Sequence, residues 1–218
     1  MRILAGADFH GSLEVYRWFL GEGRDLGADA LLLAGDLFGC ADEVDDPLEG
    51  QRINARQIEN LLQVCELPIL YIMGNDDMFE LESLDERWMA LHGRRVELGG
   101  FNFVGYQYSL PWMGGVFEVP EEQIALDLQS IEGLIDDRTV LVTHSPAHGI
   151  LDPGFGPHKI GSQSLRSLLA EHPVRAHIHG HSHSGFGREG RHFNVASALR
   201  MRATLIDLET LQHSFVEG

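Results

Sequence analysis

The chain has 218 residues, enough for one large domain or two small ones, and 44% hydrophobic content supports an ordinary globular core without disulfides. With Lys and Arg totalling 16 against 33 Asp and Glu, the formal charge is -17, which opposes any function resting on non-specific nucleic-acid backbone contacts. A small phosphate ligand stays open, because bound divalent cations reverse the local field. No stretch approaches the roughly 20 apolar residues of a membrane helix. The apolar run in MRILAGADFHGS is too short for a signal peptide. Cys40 and Cys65 lie in no metal-ligand spacing and form no framework, so the expectation is a cytoplasmic protein with reduced thiols.

In chain order, RILAGAD is a short apolar strand ending at Asp8. SLEVYRWFLGEGRDLG follows with helical spacing and Ser12 as N-cap. ADALLLAGDL is a second buried strand, again ending at an Asp, and the polar CADEVDDPLEG is a loop. QRINARQIENLLQV is helical, and Pro68 opens a third strand, PILYIMGND. LESLDERWMALHG is predicted as a helix closed by Gly93, and RVELGGFNFVGY as a hairpin turning at Gly99 and Gly100. Helix EEQIALDLQSIEGLI, strand TVLVTH, a Gly/Pro-rich loop, helix SQSLRSLLAEH and strand RAHIHGH come next. RHFNVAS, RATLIDL and LQHSFVE are predicted as antiparallel strands with a turn near Glu209. Without repeats or linkers, one α/β domain over residues 1–218 is the economical reading.

Polar residues concentrate where these strands end: Asp8-Phe9-His10, Gly35-Asp36, Gly74-Asn75-Asp76-Asp77, His144 and Gly180-His181-Ser182-His183. Each segment alone is an unremarkable turn. Five together, at the edge where α/β proteins build sites, are hard to obtain by accident. The ordered series D-x-H, G-D, G-N-x-D, a strand-end His and G-H-x-H resembles the calcineurin-like metallophosphoesterases, most closely their small prokaryotic members. The motifs run from residue 8 to residue 183. The resemblance implies a four-layer αββα sandwich of two mixed β-sheets flanked by helices. It implies one metal held by Asp8, His10, Asp36 and His183, and a second held by Asp36, Asn75, His144 and His181, with Asp36 bridging.

The chemistry of such a set is coherent. Imidazole nitrogens with carboxylate and amide oxygens suit two cations of borderline hardness: zinc, manganese or iron fit, whereas magnesium prefers more oxygen ligands. Such a pair about 3.5–4 Å apart clamps a phosphate for in-line attack by a bridging hydroxide. Within HIHGHSH, which holds four of the twelve histidines, Gly180 marks the strand end. His181 and His183 are therefore the ligands, His179 is a candidate to hydrogen-bond a ligand, and His177 is structural.

Asn75 and Asp76 are the catalytic candidates. Many family members have a histidine at the position of Asp76 that binds phosphate and protonates the leaving group, so this departure bears on substrate preference. His148 either reaches a substrate phosphate or is an exposed loop histidine, and His158 is a weaker candidate. Gly161 and Ser162 either bind an anion at a helix start or simply cap it. Tyr106, Tyr108 and Trp112 form either an aromatic wall or a packed loop. Asn194 is a further candidate partner of a ligand. The expected function is hydrolysis of a small phosphoester, a diester before a monoester. The alternatives are a non-catalytic scaffold on the same fold and a nuclease, the latter opposed by the charge.

Overall fold

A computed structural model describes residues 1–40, 44–81, 85–154 and 156–218. Two six-stranded sheets face each other. In spatial order the first consists of β12 (His213–Glu217), β11 (Arg202–Asp207), β1 (Arg2–Gly6), β2 (Ala30–Ala34), β3 (Ile69–Ile72) and β4 (Trp88–Ala90), and the second of β5 (Arg95–Leu98), β6 (Phe101–Tyr106), β7 (Thr139–Thr143), β8 (Ala176–His179), β10 (His192–Asn194) and β9 (Gly187–Glu189). In the first, β1 (Arg2–Gly6), β2 (Ala30–Ala34) and β3 (Ile69–Ile72) are parallel neighbours, with Leu4 opposite Leu31 and Leu31 opposite Ile69. In the second, β6 (Phe101–Tyr106), β7 (Thr139–Thr143) and β8 (Ala176–His179) are parallel. These strands are buried on both faces, which is why they read as continuous apolar runs.

Alternate residues divide between the layers. Ile3, Leu32, Leu70, Phe103, Val142 and Ile178 form the core between the sheets. Leu4, Leu31, Leu33 and Tyr71 point outward under α1 (Leu13–Asp25) and α2 (Pro47–Gln63). Val104, Tyr106 and Leu141 point outward under α3 (Glu121–Ile131) and α4 (Gln163–Glu171). The result is the αββα sandwich that the motif series implies.

Local signals account for most of the boundaries. Ser12 accepts from the Val15 N–H, and Ser162 from the Leu165 N–H. Helix α2 starts earlier than predicted, because Asp46 caps it and Pro47 fills its first turn. Strand β5 (Arg95–Leu98) turns into β6 through Gly99 and Gly100, both at positive φ as a tight hairpin requires.

Two predictions are corrected. The segment at 81–93 is not a helix as far as it is described, residues 82–84 lying outside the described residues. It carries β4 (Trp88–Ala90), parallel to β3. Trp88 packs in the outer core and Met89 against the inner one, a period of two that a helix does not supply. At the C-terminal end, only β11 (Arg202–Asp207) and β12 (His213–Glu217) form the expected antiparallel pair. Strand β10 (His192–Asn194) joins the other sheet, parallel to β8 and antiparallel to the unpredicted β9 (Gly187–Glu189). Among the described residues no helix is long and apolar enough to cross a membrane.

Phe103 is fully buried between the sheets. Phe103→Ala should lower unfolding free energy by about 3–5 kcal/mol in a urea titration. A loss below about 1 kcal/mol would contradict the inter-sheet core.

Candidate metal centre

The centre forms where the ends of the two sheets meet. The Asp8 N–H donates to the Gly35 carbonyl at 3.0 Å, which joins the β1 and β2 ends. Across the sheets, His144 Nδ1 lies 2.9 Å from the Ala34 carbonyl, and the His181 N–H donates to Asp8 Oδ2 at 3.2 Å. Asp8, His10, Asp36 and His181 all take positive φ. Such backbone is costly for non-glycine residues and concentrates at functional sites.

All seven expected ligands are brought together. His183 Nε2 is 3.0 Å from Asp8 Oδ1 and 3.5 Å from His10 Nε2. His144 Nε2 is 3.0 Å from Asn75 Oδ1 and 3.3 Å from Asp36 Oδ2. The His181 ring lies 5.1 Å from the His144 ring. Donor atoms of Asp8, His10 and His183 lie within 4.8 Å of one another, as do those of Asp8, Asp36 and His144, and those of His10, Asp36 and Asp76. Asp8, His10 and Asp36 each belong to two of these groups, so the three groups form one connected set of donors. Asp76 emerges as a further potential ligand.

Electrostatics supports cation binding. Asp8 and Asp36 are buried almost completely. Burial pushes the Asp36 carboxyl up, but His144, His10 and the Asp76 N–H outweigh it and hold it below the ordinary range. Burial pulls His144 down, yet Asp36 and Asp8 push it up to about 10. Two buried carboxylates demand positive charge, and the nitrogen and oxygen donors around them suit a divalent ion. His181 is lowered to about 4 by burial and by His144, so it offers a neutral nitrogen.

Residues beyond the expected ligands hold the loops, among them Asp77, the last residue of the G-N-x-D stretch. The buried Asp77 carboxylate accepts the N–H groups of Leu37, Phe38 and Gly74 at 2.8–3.0 Å, tying the Asp36 loop to the Asn75 loop. Burial and Asp36 push its pKa up to about 7. From α2, Gln51 donates to the Asp76 carbonyl at 2.6 Å and accepts from the Met78 N–H. Asn54 bridges Gly39 N–H and Gly11 carbonyl. Polar residues on a buried helix face were the available signal. Asn194 donates to the Ser182 carbonyl at 2.9 Å, between two ligand histidines, and so supports their loop.

The remaining candidates separate. Asp76 lies at the wall of a cavity of about 800 Å³, together with His10, Asp36, Asn75, His181 and His183. Its carboxylate accepts from Asn75 Nδ2 at 2.8 Å and lies 3.4 Å from His10 Nδ1. Burial and the charge of Asp36 raise its pKa. His148 is not brought to this cavity; its Nδ1 lies 3.9 Å from Asp152. His158, Lys159 and Arg200 do line it. Ser162 is a cap, and the Glu121 carboxylate already accepts from Ser162 Oγ and from the Gln163 and Ser164 N–H groups, so an internal anion occupies that helix start. Tyr106 and Tyr108 line a different cavity, and only Trp112 faces the centre.

His179 does not hydrogen-bond a metal ligand's side chain. Its Nδ1 lies 3.2 Å from the Gly180 carbonyl, and its ring stacks on His177 at 5.0 Å. His177 Nε2 meets Thr143 Oγ1 at 2.9 Å, and its Nδ1 meets His192 at 3.3 Å, a structural role. Burial lowers His177 well below its ordinary value and brings His179 and His192 to about 4. Between about pH 6.5 and 4 the unfolded chain binds more protons at these groups, so stability falls as pH falls. Chelator-treated protein should show a falling urea midpoint through that window, with a shallower slope in His177→Gln. Equal slopes would contradict the neutral histidine row.

The sequence matches the model of the calcineurin-like phosphoesterases over residues 1–185. Comparison with curated proteins gives no match. The fold is similar to that of TT1561 of Thermus thermophilus, with TM-score 0.74, 18% identity, and coverage of 99% of this chain and 98% of that one. It is similar to a dimetal phosphatase from Danio rerio, with TM-score 0.64, 11% identity, and coverage of 100% and 98%. It is also similar to GAP50, the anchor in the inner membrane complex of Plasmodium, with TM-score 0.53, 14% identity, and coverage of 91% and 72%. At these identities the structures speak to fold alone. The family match spans most of the chain and every motif, and the chain therefore belongs to the calcineurin-like phosphoesterase family.

Proposed function

We propose that the chain is a dinuclear metal-dependent phosphoesterase that acts on small phosphodiesters in preference to monoesters. The observation that carries this reading is that Asp8, His10, Asp36, Asn75, His144, His181 and His183 are gathered into one set of nitrogen and oxygen donors beside a cavity of about 800 Å³. Divalent cations bound there, with manganese, iron or zinc fitting the donor set, would neutralise phosphate charge and acidify a nucleophilic water. The chain's own part is positioning. The Ala34 carbonyl fixes the tautomer and aim of His144, and the Asp76 N–H holds one Asp36 oxygen at 2.9 Å.

Asp76 shapes the choice of substrate. An ionised carboxylate beside the phosphate repels a dianionic monoester more than a monoanionic diester. Bound cations would favour that ionised form against the burial that raises its pKa, leaving Asp76 a poor proton donor. The net charge of -17 argues for a small substrate over a nucleic acid. A scaffold without turnover is disfavoured because every expected ligand position holds a suitable donor.

Reconstituted protein should carry about two divalent ions per chain by elemental analysis. A folded protein with a ratio near zero would end the enzyme reading. Asp36→Asn should cut both metal affinity and turnover by about 100-fold or more, since outer partners of ligands alone cost about 10–100-fold. Full activity in that variant would remove the shared role of Asp36. Asp76→His should flatten the dependence of kcat/KM on leaving-group pKa across a diester series, by adding a group that titrates near neutrality. Identical dependence in parent and variant would leave Asp76 without an acid-related role.

A further inference from the structure

The cavity is much larger than a phosphate needs, and its wall beyond the metal ligands has a distinct chemistry. Leu110, Pro111, Trp112 and Met113 line it on one side. Trp112 is 59% exposed and Met113 79%. Large apolar groups that keep part of their surface exposed next to a polar centre mark a binding surface.

This wall is built, not loosely draped. The Glu118 carboxylate accepts the N–H groups of Trp112, Met113 and Gly114 at 2.8, 3.1 and 2.8 Å. The two ends of the loop are laced together by Ser109 N–H to the Phe117 carbonyl and Val119 N–H to the Ser109 carbonyl. Phe117 is buried in the outer core of the first sheet. At Gly115 the loop rests on the backbone of Asn75, so closely that a side-chain carbon would collide with the Asn75 carbonyl. The ligand Asn75 and the Trp112–Met113 step therefore belong to one supported unit.

We propose that Trp112 and Met113 form a platform for the second ester group of the substrate, and that this group is a flat aromatic ring system. The inference rests on the phosphoesterase reading of the centre. Indole faces and thioether sulfur both favour aromatic partners. A preorganised wall suits a rigid planar group, whereas a flexible chain loses conformational freedom on binding. Acyl phosphodiesters reside in membranes, and a chain of charge -17 is repelled by an anionic bilayer surface. Polynucleotides are opposed by the same charge. A small aromatic phosphodiester satisfies all of these conditions.

The test uses metal-reconstituted protein and non-hydrolysable methylphosphinates whose second phosphorus–carbon substituent is a methyl, cyclohexylmethyl, dodecyl or 1-naphthylmethyl group, with binding read by calorimetry. The naphthylmethyl compound should bind at least about tenfold more tightly than the cyclohexylmethyl one, in line with aromatic stacking energies. Trp112→Ala should abolish that advantage, and Trp112→Phe should keep most of it. Equal or tighter binding of the cyclohexylmethyl or dodecyl compound overturns the aromatic platform, as does an advantage unchanged in Trp112→Ala. Turnover of ordinary diesters is measured separately. Its absence counts against the phosphoesterase reading, whereas loss of the aromatic preference counts against the platform alone.

Discussion

Two aspartates buried side by side set the terms for the rest of the molecule. Asp8 and Asp36 lie within one donor group, nearly inaccessible to water, at the meeting line of two sheets. Such a pair is tolerable only with positive charge and hydrogen bonds around it. The chain supplies both. His144 is driven to its charged form beside Asp36, His183 is raised by its hydrogen bond to Asp8, and backbone N–H groups of Asp76 and His181 reach the two carboxylates. The left-handed backbone at Asp8, His10, Asp36 and His181 is part of the same cost. A divalent cation answers the same demand with a larger charge at one point, which is why this geometry suits metal.

The scaffold holds the constellation through residues that never face the cavity. Asp77 gathers three N–H groups from two loops, Asn54 pins Gly39 to Gly11, and Asn194 supports the turn between His181 and His183. Each joins segments distant in sequence. Asp77 and Asn54 fix ligand loops of the first sheet and Asn194 fixes the ligand loop of the second, while the contacts of His144 with Ala34 and of His181 with Asp8 join the two.

Much of this was legible in the sequence for a physical reason: parallel strands buried on both faces read as apolar runs, and their polar ends stand out. Asp8, Asp36, Asn75, His144, His181 and His183 stand out by that contrast, and the resemblance of their ordered series to a known family is what implies that they are ligands. What escaped depended on pairing partners that no local pattern names. Trp88 and Met89 resemble part of an amphipathic helix until β3 is beside them. His192–Asn194 looks like the start of an antiparallel meander, yet β8 takes it as a parallel neighbour. Tyr106, Tyr108 and Trp112 are close in sequence, but the turn of the chain after β6 sends them to different cavities. Periodicity alone placed His177 and His179 on one face; their partners depended on Thr143 and His192, which only the sheet register brings near.

The central claim is that Asp36 is shared between two cations at one site. Electron paramagnetic resonance of protein titrated with manganese(II) tests it most directly. Ions held about 3.5–4 Å apart by common ligands are magnetically coupled. The account predicts that the spectrum of isolated ions gives way to that of an exchange-coupled pair as loading approaches two per chain, and that Asp36→Asn abolishes the coupling. Persistence of isolated-ion signals in the fully loaded parent protein would contradict it.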